Sequence, residues 1–445
     1  MDGHEALVHK AMVAERYFQR KNDIILTEPK KDEEGNPLRS ADNRIASNFY
    51  GLLVNQKAAY LFSDPPIFDV GSKQSNAAIA DALGDGFAKK CKGLCINASN
   101  ACVGWLHIWE DENGTFQYSV VDSKQVIPVW SSDLEKRLLA VLRVYDTAEK
   151  KTGDIYTVYE YWTDTACTAY RRLSSAGLDA LTPYRMFPYF GMDEGLADYT
   201  DTLPHGWGEV PFIPFFNNES CTSDLDMVKD LIDSYDKVFS GFLNDLEDIQ
   251  EIIFVLSGYG GEDLKTFLSD LKQAKAIKVD STLDNQHPGV ETLTINIPVE
   301  AREKMLTIAR KAIFEQGQGI DPDPQNFGDS SGVALKFLYS LLELKSGLME
   351  TEFRLGFSRL VRLICRHRNI PCDRVSQTWT RTSVTNDFEL ADIAAKSTGV
   401  ISQRTILRRH PWVDDPEEEQ KQLDKEAGQA EQQNPQFAFQ GSARR

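Results

Sequence analysis

The residues that come closest to a catalytic pattern lie at the N-terminus. His4 and Glu5 are followed by His9, which resembles the HExxH motif of zinc-dependent hydrolases, whose two histidines share one helix face. Here the second histidine comes one residue too late, so the two imidazoles are about 500° apart around a helix and cannot meet at one metal ion. The sequence therefore does not predict a zinc hydrolase.

Two further patterns are incomplete. Residues 258–261 (GYGG) lack the GK[ST] ending of a phosphate-binding loop, and residues 269–272 (SDLK) match only the short SxxK pattern, which occurs by chance. No GxSxG, CxxC or GxGxxG segment occurs in the chain. We therefore expect a protein that is not an enzyme and that needs no cofactor.

Three cysteines near the middle of the first half could hold a metal ion. Cys91, Cys95 and Cys102 share one face of a predicted helix, but no further cysteine or histidine stands at a ligand spacing. The alternative is that they are small apolar residues of a core, as free cysteines commonly are. We favour the core, and we expect no metal site.

Composition limits the classes of partner. The 445 residues include 49 basic and 67 acidic side chains, a net charge of −18, and 41% are hydrophobic. Such a chain can bury a core, but as a whole it should repel nucleic acid and anionic membranes. The first ten residues lack an apolar signal, and no run of about 18 apolar residues occurs, so we expect synthesis in the cytoplasm and no membrane partner.

The first half of the chain predicts helices followed by strands. Helices are predicted at 5–22, 41–61 and 75–102, with a charged connection at 27–40. After residue 103 the apolar period changes from 3.6 to 2, and Asn113-Gly114 and Thr152-Gly153 give turn signals. Strands of an antiparallel sheet are predicted at 105–109, 116–121, 126–130, 138–145 and 155–162. Residues 173–210 are predicted as loops.

The second half is predicted to be mostly helical. Thr222 or Ser223 can cap a helix that runs to about residue 251. Residues 252–298 form an insertion, with a helix at 262–274 and strands at 276–279 and 291–295. Helices at 299–316 and 332–368 are separated by a loop, and a strand-like stretch follows at 376–385. Helices are then predicted at 387–397, at 402–410 and from residue 415, and a disordered tail from 427.

Two segments stand out as loops that lead into helices. Residues 325–336 (QNFGDSSGVALK) place Asp329, Ser330 and Ser331 where they can cap the longest helix. Residues 400–402 (VIS) and 411–419 (PWVDDPEEE) form a second such entry, with acidic residues at the positive end of the helix dipole.

These segments closely resemble the portal proteins of siphophages. The stretch NFGDSSGVALK and the TGVIS…HPWVDDPEEE segment carry the resemblance, and residues 43–65 and 121–129 agree with it in the right order. Asp329 stands where a Gly-Asn pair is more usual in the family, and residues 184–199 match nothing in it.

The resemblance implies a mainly helical α+β portal fold, assembled as a ring of usually twelve copies at one capsid vertex. The parts implied are a β-rich wing (1–220), stem helices (222–251 and 299–316), an α/β clip (252–298), a tunnel loop (317–331), a long helix returning to the wing (332–385), a helical crown (386–426) and a disordered tail (427–445).

The implied function is a channel through which double-stranded DNA is packaged and later ejected. The implied partners are other copies of the chain, double-stranded DNA bound transiently and without sequence preference, the terminase large subunit and the head-completion adaptor at the clip, and capsid and scaffold proteins at the wing. The implied location is the virion, after assembly in the host cytoplasm.

Candidate site residues follow from this map. The residues expected on the DNA-channel loop are Gln318, Asp321, Asp323, Gln325, Asn326, Asp329 and Ser330. The residues expected to line the channel from the stem are Asp230, Asp233, Lys237, Asp245 and Glu247. The residues expected on the docking clip are Tyr259, Glu262, Asp263, Lys265 and Lys272. Those expected between subunits are Arg354, Arg359 and Arg362.

The charge sign agrees with a conduit. A channel that held phosphates tightly would impede DNA movement, because each lysine–phosphate contact adds affinity. The first stem helix is predicted to carry Asp224, Asp226 and Asp236 besides the residues above, and these acids would repel the duplex or simply solvate the helix. The alternative function is a head–tail adaptor or scaffold ring without a role in DNA translocation; a metal-dependent enzyme is the least favoured reading.

Overall fold

The structure, a computed structural model, describes residues 2–28, 41–189, 198–249, 253–257, 289–293, 298–323, 332–381, 387–410, 412–413 and 415–433. It contains both helices and antiparallel sheets, which confirms the mixed α+β class.

The N-terminal helices are shorter than predicted. They are α1 (Asp2–Phe18), α2 (Asp23–Leu26), α3 (Phe49–Phe62), α4 (Lys73–Leu83) and α5 (Phe87–Ala101). The helix predicted at 5–22 ends at Phe18, because Arg20 takes a positive φ of 62°. The helix predicted at 75–102 is two helices, because Gly84 turns the chain with a φ of 65°.

The helix predicted from residue 41 begins only at Phe49, and this prediction was wrong for residues 41–48. The backbone N–H groups of Asn43, Ile45 and Ser47 donate to side chains of a helix almost 200 residues later. Donors engaged in this way cannot close helical turns, so these long-range hydrogen bonds override the local helical pattern.

The strands form two main sheets. Their strands are β2 (Val103–Glu110), β3 (Phe116–Val121), β4 (Val126–Trp130), β5 (Leu138–Ala148), β6 (Ile155–Trp162), β7 (Ala166–Leu173), β8 (Thr182–Pro183), β11 (Thr202–Pro204) and β12 (Phe212–Phe216). The first sheet has the order β12-β2-β3, and the second has the order β11-β7-β6-β5-β4, with β8 also paired with β7. All five predicted strands are present, and all pairings are antiparallel.

Short strands were missed in the region predicted as loops. Besides β8 and β11, it contains β9 (Phe187–Tyr189) paired with β10 (Asp198–Thr200). Strands of two or three residues carry too few side chains to show an alternating pattern, so sequence periodicity cannot detect them.

The second half contains the helices α6 (Lys229–Ile249), α7 (Val299–Gln316), α8 (Gly332–His367), α9 (Asp387–Lys396), α10 (Gln403–Arg409) and α11 (Pro416–Gln433). Strand β13 (Ile253–Ser257) pairs with β14 (Gly289–Leu293), and β15 (Ser376–Thr378) pairs with β1 (Ile67–Asp69). The long helix agrees with its prediction to within one residue. Helix α11 continues to Gln433, so the disorder predicted from 427 was wrong as far as 433, where Gln, Glu and Ala favour a helix.

The inner face of α8 lies in the largest core cluster. Phe353 and Phe357 contact Phe62 of α3 and Phe215 of β12 through their rings. Gly356 permits this approach, because a Cβ at that position would lie 2.5 Å from the Phe215 ring. Cys91 and Cys95 are fully buried in the same cluster, as the core interpretation predicted.

A second cluster joins the N-terminal helices to α6 and α7. Tyr17 of α1, Leu53 of α3, Ile232 of α6 and Ile313 of α7 are all fully buried there. The N-terminal helices therefore hold the base of the α6/α7 pair in place.

Candidate functional site

Helices α6 and α7, which cover the segments predicted as the stem and are called the stem helices below, pack on each other. Arg302 of α7 pairs with Asp245 of α6, and its guanidinium lies 5.6 Å from the centroid of the Phe242 ring. At the base, Phe49 lies edge-on against both Tyr235 and Phe314. The β13/β14 pair is the described part of the chain segment that connects the two helices.

Helix α6 starts later than predicted. Thr222 and Ser223 do not cap it, because the helix begins at Lys229. Asp224 and Asp226 therefore precede the stem helix, although the sequence placed them on it. The reason is tertiary: the backbone N–H of Asp224 donates to Ser99 in α5, and its side chain enters a buried ion cluster.

The acidic residues of α6 face in different directions. Asp236 is buried, and it accepts hydrogen bonds from the backbone of Ser47 and from Asn22. Burial raises the pKa of Asp236. Asp233 pairs with Lys229 at 2.7 Å and also binds the hydroxyl of Tyr17. These two carboxylates hold the stem to the N-terminal helices.

The exposed face of α6 contains fewer of the predicted channel-lining residues than the sequence indicated. Asp230, Ser234 and Lys237 are exposed at helical spacing. Glu247 is also exposed and accepts a 2.7 Å hydrogen bond from Asn43. Of the predicted channel-lining residues, Asp233 and Asp245 are thus engaged in ion pairs within the chain, whereas Asp230, Lys237 and Glu247 are open to solvent.

A buried ion cluster lies beside the base of the stem. The Asp224 carboxylate is 2.7 Å from the ammonium of Lys57 in α3 and 2.9 Å from that of Lys345 in α8. Asn217 donates to Asp224 at 2.9 Å and accepts from Lys57 at 2.8 Å. All four side chains are buried. The cluster joins α3, α8, the end of β12 and the segment that precedes α6.

The charges in this cluster act on each other strongly. Burial alone would raise the pKa of Asp224, but the ammonium groups of Lys345 and Lys57 hold it well below the ordinary value. Burial lowers the pKa of Lys345 despite its carboxylate partner. Two cations share one anion, so the polar groups around them must compensate for the second charge.

The Gly317 carbonyl is one of those groups, and it begins the predicted tunnel loop. It accepts a 3.0 Å hydrogen bond from Lys345. The side chain of Gln56 then binds both the N–H and the carbonyl of Ile320, at 3.0 and 2.6 Å. Asp321 pairs with Arg310 of α7 at 2.6 Å.

The start of the loop is therefore fixed to the body. Gln318 and Asp321 lie in this fixed base, and Asp323 follows it. The other residues predicted on the loop, Gln325, Asn326, Asp329 and Ser330, lie outside the described residues, as do the clip residues Tyr259, Glu262, Asp263, Lys265 and Lys272.

The family described as "Phage portal protein, SPP1 Gp6-like" matches residues 1–433. The chain belongs to this family of phage portal proteins.

Named relatives agree with the family. The portal protein of Clostridium phage phiCD119 is 43% identical over 426 residues, which cover 92% of this chain and 90% of that protein. The portal protein of Bacillus phage SPP1 is 31% identical over 432 residues, which cover 93% and 83% respectively. Among solved structures, a chain from the virion of a native gene transfer agent particle aligns with a TM-score of 0.42 at 12% identity, covering 80% of this chain and 88% of that one.

The resemblance found in the sequence is therefore confirmed. Portal proteins are structural components of the virion, and they form the channel for DNA packaging. The chain is a phage portal protein with that role. Within the described ranges, no helix is long and apolar enough to cross a membrane. In that same part of the portal chain, no group of three His, Cys, Asp or Glu side chains is arranged to hold a metal ion.

Two of the three portal arginines expected between subunits have partners within the chain. Arg354 pairs with Glu350 at 2.6 Å, and Arg359 pairs with Glu209 at 2.7 Å. Arg366 also reaches Glu209, at 3.1 Å. Arg362 is exposed.

The buried ion cluster was not predicted from the sequence. A signal for it was present, because Lys57 stands among Leu53, Val54 and Leu61, and Lys345 among Leu342 and Met349. A cation on the apolar face of a helix needs a buried anion. That anion, Asp224, could not be identified from local spacing.

Proposed function

We propose that twelve copies of this chain form a closed ring at one capsid vertex, and that double-stranded DNA passes through the ring during packaging and ejection. The observation that carries the proposal is the family match over residues 1–433, with named portal relatives aligned along more than 90% of the chain. We further propose that the chain is not an enzyme and needs no cofactor, and that the ring assembles in the host cytoplasm.

The proposed channel wall includes the exposed face of α6. Its open charges are Asp230 and Lys237, and Glu247 is exposed about 100° further around the helix. This face is close to neutral and Glu247 adds a negative charge beside it, so the surface offers few contacts that would hold DNA. This arrangement suits a conduit for non-specific, transient passage of DNA.

The tunnel loop, residues 317–331, contacts the DNA in this proposal. Its base is held by Lys345, Gln56 and Arg310, so residues 317–321 should not move independently of the helices that hold them. A fixed base supports the proposal, because force on the loop tip would be passed to α3, α7 and α8.

Residues 252–298 form the proposed clip, which binds the terminase large subunit during packaging and the head-completion adaptor afterwards. Support comes from the β13/β14 pair, which connects the two stem helices. Major capsid and scaffold proteins would contact the wing, and α9–α11 would form the crown.

A packaging assay tests the DNA role. Residues 324–330 would be replaced by a three-residue linker of glycine and serine, and the amount of DNA packaged per particle would be measured. We expect particles with assembled rings that lose DNA or package it slowly. Normal packaging and retention would overturn the loop's role and would favour a scaffold or adaptor ring without a part in translocation.

A further inference from the structure

Helix α8 carries apolar side chains on two opposite faces. One face contains Leu342, Met349, Phe353 and Phe357, which are buried in the core. The other face contains a line of exposed apolar residues, which we call the outer stripe: Phe337, Leu344, Leu348 and Leu355, with exposed fractions of 75%, 62%, 59% and 68%.

The spacing of the outer stripe is regular. Its members follow each other at intervals of seven, four and seven residues. At 100° per residue all four lie within about 20° of one line, and the line is about 27 Å long. It lies directly opposite the buried face, so no rotation of α8 could bury both faces in this chain.

The size of the outer stripe indicates a partner. Its side chains expose apolar surface on the order of 400 Å², which matches the largest apolar patch of a typical monomeric protein, and such a patch is often functional. Scattered exposed apolar residues need no explanation, but an ordered line along five turns of a helix does.

The charge at the end of the stripe indicates which partner. Arg362 continues the same line seven residues after Leu355, and it is exposed. The complementary surface should therefore be apolar with an acidic end. A second copy of this chain, whose net charge is −18, offers exposed acids for that end, among them Asp230 and Glu247. Copies of that charge repel each other in general, so their association needs an uncharged surface such as the stripe.

We propose that the outer stripe of α8, with Arg362 at its end, is a contact surface between neighbouring copies of this chain. The inference rests on the proposed ring and assigns residues to it. In a ring of more than two copies the contact is heterologous, so the stripe meets a different surface of the next copy.

The test compares two double variants that carry the same change in composition and charge. The stripe variant is Leu344→Glu with Leu348→Glu. The control is Leu134→Glu with Leu178→Glu, because these leucines are also exposed and lie in the β-rich part of the chain. Purified proteins are examined by native mass measurement and by negative-stain imaging, and their thermal unfolding is recorded.

We expect the wild type and the control to form rings. In the stripe variant the fraction of protein found in rings should fall at least about tenfold, while its monomer should unfold at the wild-type temperature. Leu344→Met with Leu348→Met should form rings like the wild type, because methionine keeps the apolar volume that glutamate removes. A photo-crosslinking residue at position 348 should join two copies of the chain, whereas one at position 134 should not.

Three results would overturn the assignment. Rings of the stripe variant equal to wild type would show that the surface is not needed. Normal rings that fail to enter capsids would show that another protein covers the outer stripe. A monomer with a markedly lower unfolding temperature would show that residues of the same chain cover the stripe. A wild-type protein that never forms rings would instead contradict the proposed function on which the inference rests.

Discussion

The ammonium of Lys345 lies 2.9 Å from the carboxylate of Asp224, although 121 positions separate them in the sequence. The same ammonium also donates to the Gly317 carbonyl at 3.0 Å. One side chain of the long helix thus contacts both the segment that precedes α6 and Gly317, which follows α7. With Lys57 as second cation, the cluster holds α3, α8, the segment before α6 and Gly317 together.

Removal of the anion should be far more harmful than removal of one cation. Asp224→Asn leaves two buried ammonium groups without a counter-charge, so we expect a loss of about 3–5 kcal/mol in the free energy of unfolding. Lys345→Met leaves the Lys57–Asp224 pair and should cost less than half of that. Urea unfolding of both variants measures the difference. Equal losses would show that the excess charge is compensated by other means.

Release of the loop base should be visible in hydrogen exchange. Gln56→Ala removes the acceptor of the Ile320 N–H and the donor to its carbonyl, so exchange at Ile320 should become at least about tenfold faster. Asn55→Ala is the matched control, since Asn55 is an exposed amide on the same helix. Unchanged exchange at Ile320 in Gln56→Ala would mean that other contacts hold the base.

His107 should make stability depend on pH. Burial lowers its pKa to about 4, and its Nδ1–H donates to the Pro211 carbonyl at 2.9 Å. In the unfolded chain the histidine takes up a proton below about pH 6.5, so the folded state binds fewer protons between pH 6.5 and 4. The free energy of unfolding should therefore fall as the pH falls, by about 2–3 kcal/mol over this interval.

His107→Phe should reduce that slope. The ring can keep its stacking on Phe212, and the Pro211 carbonyl retains a second donor in the Ile108 N–H. Unfolding midpoints of both proteins between pH 5 and 7 provide the measurement. The same slope in the variant would assign the pH dependence to other groups.

Cysteine reactivity should follow burial. Cys221 is exposed, Cys372 is half-buried, and Cys91, Cys95, Cys102, Cys167 and Cys365 are buried. Burial also raises the pKa of Cys95 and Cys102 to about 11, which leaves little thiolate at pH 8. Timed alkylation with peptide mass analysis should modify Cys221 first, and the buried five only after unfolding. Early modification of Cys95 would contradict the core described here.

Regular elements with strong periodicity could be predicted from the sequence. Helix α8 was placed to within one residue, because its apolar pattern runs over 36 residues. The errors lie where polar groups form contacts across long sequence distances. Residues 41–48 were predicted as helix, but Asp236, Ser240 and Asn244 take up their backbone N–H groups. Thr222 was predicted as a cap, but Asp224 is drawn into the ion cluster.

The same limit applies to the candidate site. Apolar spacing predicted the helices α6 and α7 and the break between α7 and α8, yet it could not show that Asp233 and Asp245 are paired within the chain, nor that Gln318 lies in a fixed segment. Local pattern reports which face is apolar. It does not report which distant side chain completes a hydrogen bond.

Charge reversal at Arg362 and at Arg359 should distinguish contacts between copies from contacts within the chain. Arg362→Glu reverses an exposed charge, whereas Arg359→Glu also breaks the pair with Glu209. We expect Arg362→Glu to reduce ring assembly without a change in the unfolding temperature, and Arg359→Glu to lower both. Sedimentation and thermal unfolding of the two variants test this expectation. Unchanged assembly of Arg362→Glu would remove this residue from the interface.

We expect this chain to be the subunit of a portal ring. The native mass of the purified protein tests this expectation, together with negative-stain images viewed along the ring axis. We expect closed rings with a central channel and a mass close to twelve times the 50.1 kDa chain mass. A protein that remains monomeric at every concentration and salt condition, with no ring in any image, would contradict it.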